Sequence, residues 1–244
     1  MLLYHSVSGA CGYHFSVSPE DFAWQMEWLH RGGVCVQSLP EALAWNGSPP
    51  GPRRLRVVIS FDDGYADNFT AALPVLRKYG YKAVFFIATG HVGQTNSWED
   101  DRSIPQMSLM NWEMIKTLSD EGHIIGGHTH RHINLLAATD TGRIKADLEE
   151  SFRLLREKTG REFIPLAYPY GKYSAAVIPL IKEIGYSCAV TAGGFWGNNM
   201  RTSRWELRRE DITRSTTRRI FAAQVRGIRD REYVNLGIRY FKET

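Results

Sequence analysis

The sequence predicts an α/β fold, a distorted or incomplete (β/α) barrel of about seven parallel strands, in one domain over residues 1–244. Short runs rich in Val, Ile and Phe alternate along the chain with amphipathic helical stretches, which is typical of parallel β/α units. About six or seven such units follow one another without a fixed-period repeat or a low-complexity tract. The length of 244 residues is enough to bury one large core.

The first half of the chain begins with a strand and a well-marked helix. The run "LLYHSV" predicts a buried strand, and Ser18 and Pro19 begin a helix that ends at Gly32 or Gly33. A short helix is expected at "PEALAWNG", and Pro74 predicts a kink in the helix over 66–80. The remaining strands of this half are expected at "VCVQSL", "LRVVISF" and "KAVFFIAT".

The second half continues the alternation after a long irregular loop, "GHVGQTNSWEDDRSIPQ", whose length is typical of functional loops. Helices are expected over 108–122, 139–160 and 174–185, each followed by a strand: "HIIGG", "FIPLAYPYG" and "YSCAVTAG". A last strand near "WELRRED" and a helix near "TTRRIFAAQVRGI" are expected in the less regular end. In β/α barrels the reacting groups lie at the carboxyl ends of the strands.

Composition excludes several classes of protein. Hydrophobic residues make up 43% and charged residues 23%, as in ordinary globular proteins. Three cysteines without a C-x-x-C pair predict neither a disulfide framework nor a thiolate zinc site. No run of about 18 apolar residues predicts a membrane span, and "MLLYHSVSGA" is too short and polar for a signal peptide. A cytoplasmic location is expected, or a secreted or periplasmic one if a leader has been removed.

Positive charge is concentrated near the end of the chain. Residues 201–244 contain 12 Lys and Arg against 6 Asp and Glu, whereas the whole chain has a net charge of only +4. Two interpretations stay open: a solvated surface, or a basic face that contacts an anionic polymer or membrane surface. No motif or aromatic interleaving supports nucleic-acid binding.

Three short stretches at predicted strand ends carry residues suited to chemistry. "SFDDGY" (60–65) places two adjacent carboxylates where an apolar strand ends, although a surface turn also uses Asp-Asp-Gly. "GGHTHRH" (126–132) places three histidines within five positions. On a helical turn His128 and His132 would share a face and bind one metal, whereas an extended segment would align all three imidazoles. A His-rich polar loop is the alternative.

The third stretch is "AYPYG" (167–171), which is either a plain turn or a source of backbone N–H groups and an aromatic wall for a substrate. The combination is more specific than any one stretch. One Asp and two His form a three-ligand metal set that leaves a position for water, and a second carboxylate beside them can act as a general base.

Together these stretches resemble the motifs of the polysaccharide deacetylases with a NodB-type domain, carbohydrate esterase family 4. The family's T-F-D-D-G motif is matched by Ser60–Gly64, its H-[S/T]-x-x-H motif by His128–His132, and its P-Y-G motif by Pro169–Gly171. The order and separations also agree, and the resemblance covers roughly residues 1–210. It implies that Asp63, His128 and His132 bind a divalent metal, with zinc expected first and cobalt, nickel or iron as alternatives.

The resemblance also implies catalytic roles: Asp62 is the base, and the backbone N–H of Tyr170 helps to hold the oxyanion. His130 falls on a variable position, as a bystander or as a group that supports the ligands. Many members have an Arg before Pro-Tyr-Gly, where this chain has Ala167, so Arg208 or Arg209 is a candidate replacement.

The proton donor is a second departure from the common pattern. Many members carry a late histidine that protonates the leaving amine, but this chain has no histidine after His132. The branch that deacetylates poly-β-1,6-N-acetylglucosamine instead uses a Tyr-His motif at the start of the domain. "LLYHSV" is similar to that motif, which makes His5 the candidate acid; an ordinary polar residue at a strand end is the alternative.

The expected activity is therefore metal-dependent hydrolysis of N-acetyl groups on an N-acetylglucosamine-containing polysaccharide or oligosaccharide, with release of acetate. Two alternatives remain at this point. One is an amidase on the same fold that acts on a small-molecule or lipid-linked amide, because the motifs describe the metal site and not the sugar pocket. The other is a non-catalytic carbohydrate-binding domain, which would have no need of Asp62.

Overall fold

A computed structural model describes residues 1–9, 12–44, 55–98, 104–193 and 197–227. Its strands are β1 (Leu2–Tyr4), β2 (Ser6–Val7), β3 (Ser16–Val17), β4 (Cys35–Val36), β5 (Arg56–Val57), β6 (Ile59–Phe61), β7 (Ala83–Ile87), β8 (Ile124–Gly127), β9 (Leu166–Ala167), β10 (Ala189–Val190) and β11 (Glu210–Asp211). Its α-helices are α1 (Pro19–Arg31), α2 (Leu39–Ala44), α3 (Leu73–Tyr79), α4 (Trp112–Asp120), α5 (Thr141–Thr159), α6 (Val177–Ile184) and α7 (Arg218–Arg226).

Seven strands form one parallel sheet in the order β10-β9-β8-β7-β6-β1-β11. The sheet curls, because a parallel bridge between Val190 and Leu207 brings the segment before β11 against β10. The expected incomplete barrel of about seven parallel strands is thereby confirmed. Across the described residues, no helix has the length and apolar character that a membrane crossing requires.

The strands carry core residues on both faces, because the sheet is covered on one side by helices and closed upon itself on the other. In β7, Phe85 and Ile87 belong to the large cluster under the helices, while Val84 and Phe86 belong to a second cluster with Val190. All these side chains are buried. This two-residue alternation explains why the strands are continuous apolar runs in the sequence.

Local signals in the sequence set the helix ends. The Ser18 hydroxyl accepts the N–H of Asp21 at 3.0 Å and caps α1, as expected. The kink expected at Pro74 takes the form of a π-helical segment, Asn68–Ala72, directly before α3. Within it the N–H of Leu73 donates to the carbonyl of Asn68, five residues back. Pro74 has no N–H to continue the α-helical pattern, so the wider turn forms before it.

Two apolar runs that the sequence presents as single strands are divided in the structure. "LLYHSV" divides at His5, so that β1 lies in the main sheet while β2 pairs with β3. "LRVVISF" divides at Val58, so that β5 pairs with β4 and β6 lies in the main sheet. The residues on both sides of each break are apolar because the small sheets are buried like the main sheet. A continuous apolar run therefore does not show where one strand ends and the next begins.

Part of the basic character near the end of the chain contributes to packing within the molecule. The guanidinium of Arg218 lies 4.9 Å from the ring centre of Trp24, and that of Arg226 lies 5.3 Å from the ring centre of Trp28. These contacts join α7 to α1. Residues 228–244, which complete the basic region, lie outside the described part of the chain.

Candidate metal centre and active site

The three motifs meet because they follow strands of one parallel sheet. Asp62 and Asp63 follow β6, His128 follows β8, and Pro169–Gly171 form a 3-10 turn after β9. These strands lie near one another in the sheet and run in the same direction. Their carboxyl ends therefore bring the motifs to one edge of the barrel, where β/α barrels carry their active sites.

Asp63, His128 and His132 form a buried cluster of potential metal ligands whose donor atoms all lie within 4.8 Å of one another. Asp63 Oδ1 is 3.4 Å from His128 Nε2 and 3.3 Å from His132 Nε2. Ligand atoms at about 2.0–2.1 Å from a tetrahedral metal lie about 3.3 Å apart. The donor types and these separations therefore fit a divalent ion such as zinc.

The backbone of the histidine motif differs from both conformations that its spacing suggested. Residues 128–132 are neither helical nor extended, and Thr129 and His132 have φ angles of 59° and 54°. The Thr129 hydroxyl accepts the N–H of Ile133 at 3.1 Å and holds the turn. A helical turn was thus the wrong explanation for the convergence of the two imidazoles, which a left-handed loop achieves.

His130 lies outside the ligand cluster. Its ring Nδ1 is 3.0 Å from the Thr89 hydroxyl, and its backbone N–H donates to Asp147 at 2.7 Å. These contacts anchor the middle of the loop to neighbouring elements. His130 accordingly supports the loop between His128 and His132.

Neighbouring groups orient the two imidazoles of the cluster. His128 Nδ1 lies 2.9 Å from the carbonyl of Ala167, which can only accept, so Nδ1 carries the proton and Nε2 faces Asp63. The His132 ring stacks on Trp98 with 4.5 Å between ring centres, and the ring of Tyr170 meets it edge-on at 4.8 Å. The sequence offers Trp98 only as one of several tryptophans that could stack on a sugar ring, and does not predict its contact with His132.

Asp62 is held by a buried arginine. Arg209 Nη1 and Nη2 donate to Asp62 Oδ1 and Oδ2 at 2.6 and 2.7 Å, and Arg209 Nε donates to the carbonyl of Thr191 at 2.6 Å. Arg209 has no exposed surface, whereas Arg208 is exposed. Of the two arginines considered from the sequence, Arg209 therefore makes the contact with Asp62.

Local charges overcome the cost of burying both carboxylates. Burial raises the pKa of Asp62, but the charges of Arg209 and His128 outweigh burial, so the pKa lies below its ordinary value. Burial acts on Asp63 in the same way, yet His128 and His132 hold its pKa well below the usual range. Both carboxyl groups are therefore ionised at neutral pH.

His5 lies where the chain leaves the main sheet, between β1 and β2. Its ring packs against Phe15 with 4.8 Å between ring centres. A positive charge on His5 favours the ionised forms of both Asp62 and Asp63, which places its imidazole within electrostatic reach of the two carboxylates. Within the described residues, its buried Nδ1 has no hydrogen-bond partner.

The Pro-Tyr-Gly turn has an unusual backbone. Tyr170 has φ 60° and ψ 11°, and its side chain is 47% exposed beside the buried cluster. A Cβ at Gly171 would lie 2.6 Å from the backbone nitrogen of Ala192, so only glycine fits at that position. The turn therefore holds Tyr170 against His132 of the candidate metal centre.

An incomplete β/α barrel with an Asp-His-His cluster beside a buried, ionised carboxylate is an arrangement that metal-dependent hydrolases use. The sequence profile of the family described as polysaccharide deacetylase matches residues 51–189. The chain belongs to this polysaccharide deacetylase family.

Individual relatives agree with this assignment. The chain is 33% identical over 179 residues to the poly-β-1,6-N-acetyl-D-glucosamine N-deacetylase of Staphylococcus aureus, which covers 70% of this chain and 59% of the relative. It is 29% identical over 191 residues to YxkH of Bacillus subtilis, covering 78% and 63%. The matches thus span about three fifths of these relatives' lengths. Streptococcus pyogenes deacetylase PplD has a similar fold, with a TM-score of 0.77, 21% identity and coverage of 92% and 96%.

Proposed function

We propose that the protein is a metal-dependent hydrolase that removes N-acetyl groups from an N-acetylglucosamine-containing polysaccharide or oligosaccharide and releases acetate. The observation that carries the proposal is the Asp63–His128–His132 cluster with the Arg209-held Asp62 beside it; Asp62 Oδ2 lies 3.8 Å from His128 Nε2. Membership of the polysaccharide deacetylase family and likeness to an enzyme named for poly-β-1,6-N-acetylglucosamine support the choice of substrate.

In this proposal the side chains divide the proton transfers between them. Asp62 takes a proton from the attacking water, and Arg209 keeps its carboxylate ionised and fixed in direction. The backbone N–H of Tyr170 donates to the oxygen that becomes negative when the acetamide carbonyl is attacked. His5, protonated, gives its proton to the nitrogen as the C–N bond breaks, so that acetate and a free amino sugar leave.

Asp63, His128 and His132 would hold the metal, and zinc suits two imidazoles and one carboxylate best, with cobalt, nickel and iron as alternatives. When bound, the metal supplies Lewis-acid chemistry by polarising the acetamide carbonyl and making a water molecule more acidic. We also propose that residues 1–244 form a single catalytic domain, in line with the one continuous seven-stranded sheet.

The test measures acetate release from β-1,6- and β-1,4-linked N-acetylglucosamine oligomers, each with and without a chelator. We expect release that the chelator abolishes and that added zinc restores. Asp62→Asn should lower turnover by at least about 100-fold while zinc binding persists. Hydrolysis of small or lipid-linked amides but of neither oligomer would contradict the proposed substrate, and zinc binding without hydrolysis of any amide would contradict the activity.

A further inference from the structure

Two residues that have no part in the mechanism above, Asp67 and Asn68, hold the segment that carries His5. β1 ends at Tyr4 in the main sheet, and β2 begins at Ser6 in a different sheet. At His5 the backbone therefore leaves the hydrogen-bonding pattern of the main sheet. Buried backbone groups at such a break need other partners.

Asp67 and Asn68 supply those partners. The Asn68 side-chain amide donates to the carbonyl of His5 at 2.7 Å. Asp67 Oδ1 accepts the backbone N–H of Val7 at 3.0 Å, and Asp67 Oδ2 accepts the hydroxyl of Ser6 at 2.6 Å. Three bonds thus tie residues 5–7 to two side chains about sixty residues further along the chain.

The chemistry of these contacts fixes the direction of the Asn68 amide. Its nitrogen donates to the carbonyl of His5 and also to Asp67 Oδ1 at 3.0 Å. Both partners can only accept, so the nitrogen must face them, and an aspartate at this position would remove both bonds. Asn68 is fully buried, which makes each unmade bond costly.

The backbone around Asn68 supports the same role. Asn68 begins the π-helical segment before Pro74, and π-helical turns occur often at functional sites. The segment from Asp62 to Asn68 therefore carries the proposed base and a proposed metal ligand at its start, and at its end Asp67 and Asn68 form hydrogen bonds to the segment of His5. One short stretch of chain sets the distance between the two groups that transfer protons.

We propose that Asn68 and Asp67 are positioning residues for His5. They hold its backbone so that the imidazole is directed at the nitrogen of the leaving group. This inference rests on the proposed function, because it assigns His5 the protonation of the departing amine. Removing these hydrogen bonds should lower the rate of reactions that need this proton and leave the rate of other reactions unchanged.

Two substrates distinguish hydrolysis that needs a proton on the leaving group from hydrolysis that does not. An N-acetylglucosamine oligomer has an amine leaving group that requires a proton, whereas 4-nitrophenyl acetate loses a stable phenolate that requires none. We expect Asn68→Ala and Asn68→Asp to lower kcat/KM for the oligomer by about 10- to 100-fold, and for the ester by less than about threefold. His5→Ala should give the same pattern with a larger loss. Zinc affinity, measured by calorimetry, should be unchanged in all three.

Ser119→Ala is the matched control. Ser119 is also fully buried and hydrogen-bonded, to Arg161, but lies near the end of α4, at the opposite edge of the sheet. It should lower the melting temperature without changing the ratio of oligomer to ester hydrolysis. If the Asn68 variants do not fold, Ser6→Ala removes one of the three hydrogen bonds that hold residues 5–7 and should lower the ratio of oligomer to ester hydrolysis by a smaller factor.

The outcomes are distinct. Equal losses on oligomer and ester, in Asn68 variants that are folded and bind zinc, would overturn the positioning role while leaving the proposed function in place. A wild-type protein with no chelator-sensitive oligomer hydrolysis would instead overturn the proposed function. A changed ratio in Ser119→Ala would show that the ratio reports general stability and would also contradict the inference.

Discussion

The two edges of the barrel differ in which residue types adopt left-handed backbone conformations. At the amino edge, where helices return to the strands, such positions are filled by glycine: Gly80 ends α3 with φ 66°, and Gly160 ends α5 with φ 64°. At the carboxyl edge the motifs add larger residues. In the described part of the chain, the non-glycine residues with positive φ are all at this edge: Asp63, Thr129, His132 and Tyr170.

The contrast shows that backbone strain is confined to the carboxyl edge. A left-handed residue with a Cβ costs on the order of 1–2 kcal/mol, and a β-branched residue such as Thr129 is a true outlier. Two of the four are ligands of the candidate metal centre, and all four belong to the three motifs. Strained conformations persist where surrounding contacts determine them, and they concentrate at functional sites. The amino edge, which has only to turn the chain, avoids this cost.

Substitutions in the strained histidine loop should change activity most, and they test whether the loop serves to bind metal. His128→Ala should abolish hydrolysis and lower zinc affinity by at least about 100-fold, because it removes a ligand. His130→Ala, in the same loop but outside the cluster, should leave zinc affinity within about threefold. Isothermal calorimetry with zinc measures both. Equal losses in the two variants would mean that the loop acts through its shape and not through its ligands.

The next effect concerns the buried charge pair of the carboxyl edge. Arg209→Met leaves Asp62 buried without its partner and should lower the free energy of unfolding by about 3–5 kcal/mol. Arg209→Lys keeps the charge but not the two parallel bonds and should fall between Met and wild type. Arg208→Met, at the exposed neighbour, should change stability by less than about 0.5 kcal/mol. Urea denaturation in the presence of chelator measures all three; similar losses at 208 and 209 would contradict the role of the pair.

A smaller effect is expected from a buried histidine at the amino edge. His123 Nδ1 accepts the N–H of Ala83 at 3.1 Å, and burial lowers the pKa of His123 to about 4. Because this lies below the ordinary value of about 6.5, the folded state resists protonation, and stability is lost as the pH falls from about 6.5 to about 4. The total is on the order of 3 kcal/mol.

His123→Gln keeps an acceptor that does not titrate, so the variant should lose about 3 kcal/mol less than wild type between neutral pH and pH of about 4. Denaturation curves across this range measure the difference. Parallel pH profiles in the two proteins would contradict the assignment of this loss to His123.

The smallest changes in stability are expected from substitutions at one left-handed position on each edge. Gly160→Ala places a Cβ in open space, so only the backbone angle opposes it, and it should destabilise by about 1 kcal/mol. Tyr170→Gly relieves the same strain but loses the ring contact with His132, whereas Tyr170→Ala loses that contact without relieving the strain, so Tyr170→Ala should be less stable than Tyr170→Gly by about 1 kcal/mol. Chemical denaturation measures all three variants. Equal stability of the two variants at position 170 would show that the backbone there is not strained.

The sequence was sufficient for features that repeat or that depend on one residue. The alternation of strands and helices, the cap at Ser18 and the disruption at Pro74 all have local physical causes, and the structure confirms them. The meeting of Asp63 with His128 and His132 followed from parallel strands ending at one edge. Periodicity gave the order of the elements and their common direction, which was enough to bring the motifs together.

What the sequence could not give depends on contacts between distant residues or on unusual backbone angles. The left-handed loop at Thr129 opposes that residue's own preference, so no propensity indicates it. In the sequence nothing distinguishes Asn68 from the other residues of its predicted helix. Its bond to the carbonyl of His5 becomes apparent only from the break between β1 and β2. Arg208 and Arg209 are adjacent and equivalent in charge, and only the register of β11 beside β1 decides which guanidinium is buried.

The Asp62–Arg209 pair has a consequence for biosynthesis. Its members are 147 positions apart, and the arginine directly precedes β11, which follows all other strands of the main sheet along the chain. While the chain emerges from the ribosome, the residues of the aspartate-histidine cluster are all present long before the guanidinium that steadies the neighbouring carboxylate. A nascent polypeptide that has not reached β11 therefore already contains the three residues of the candidate metal centre but still lacks the guanidinium that holds Asp62.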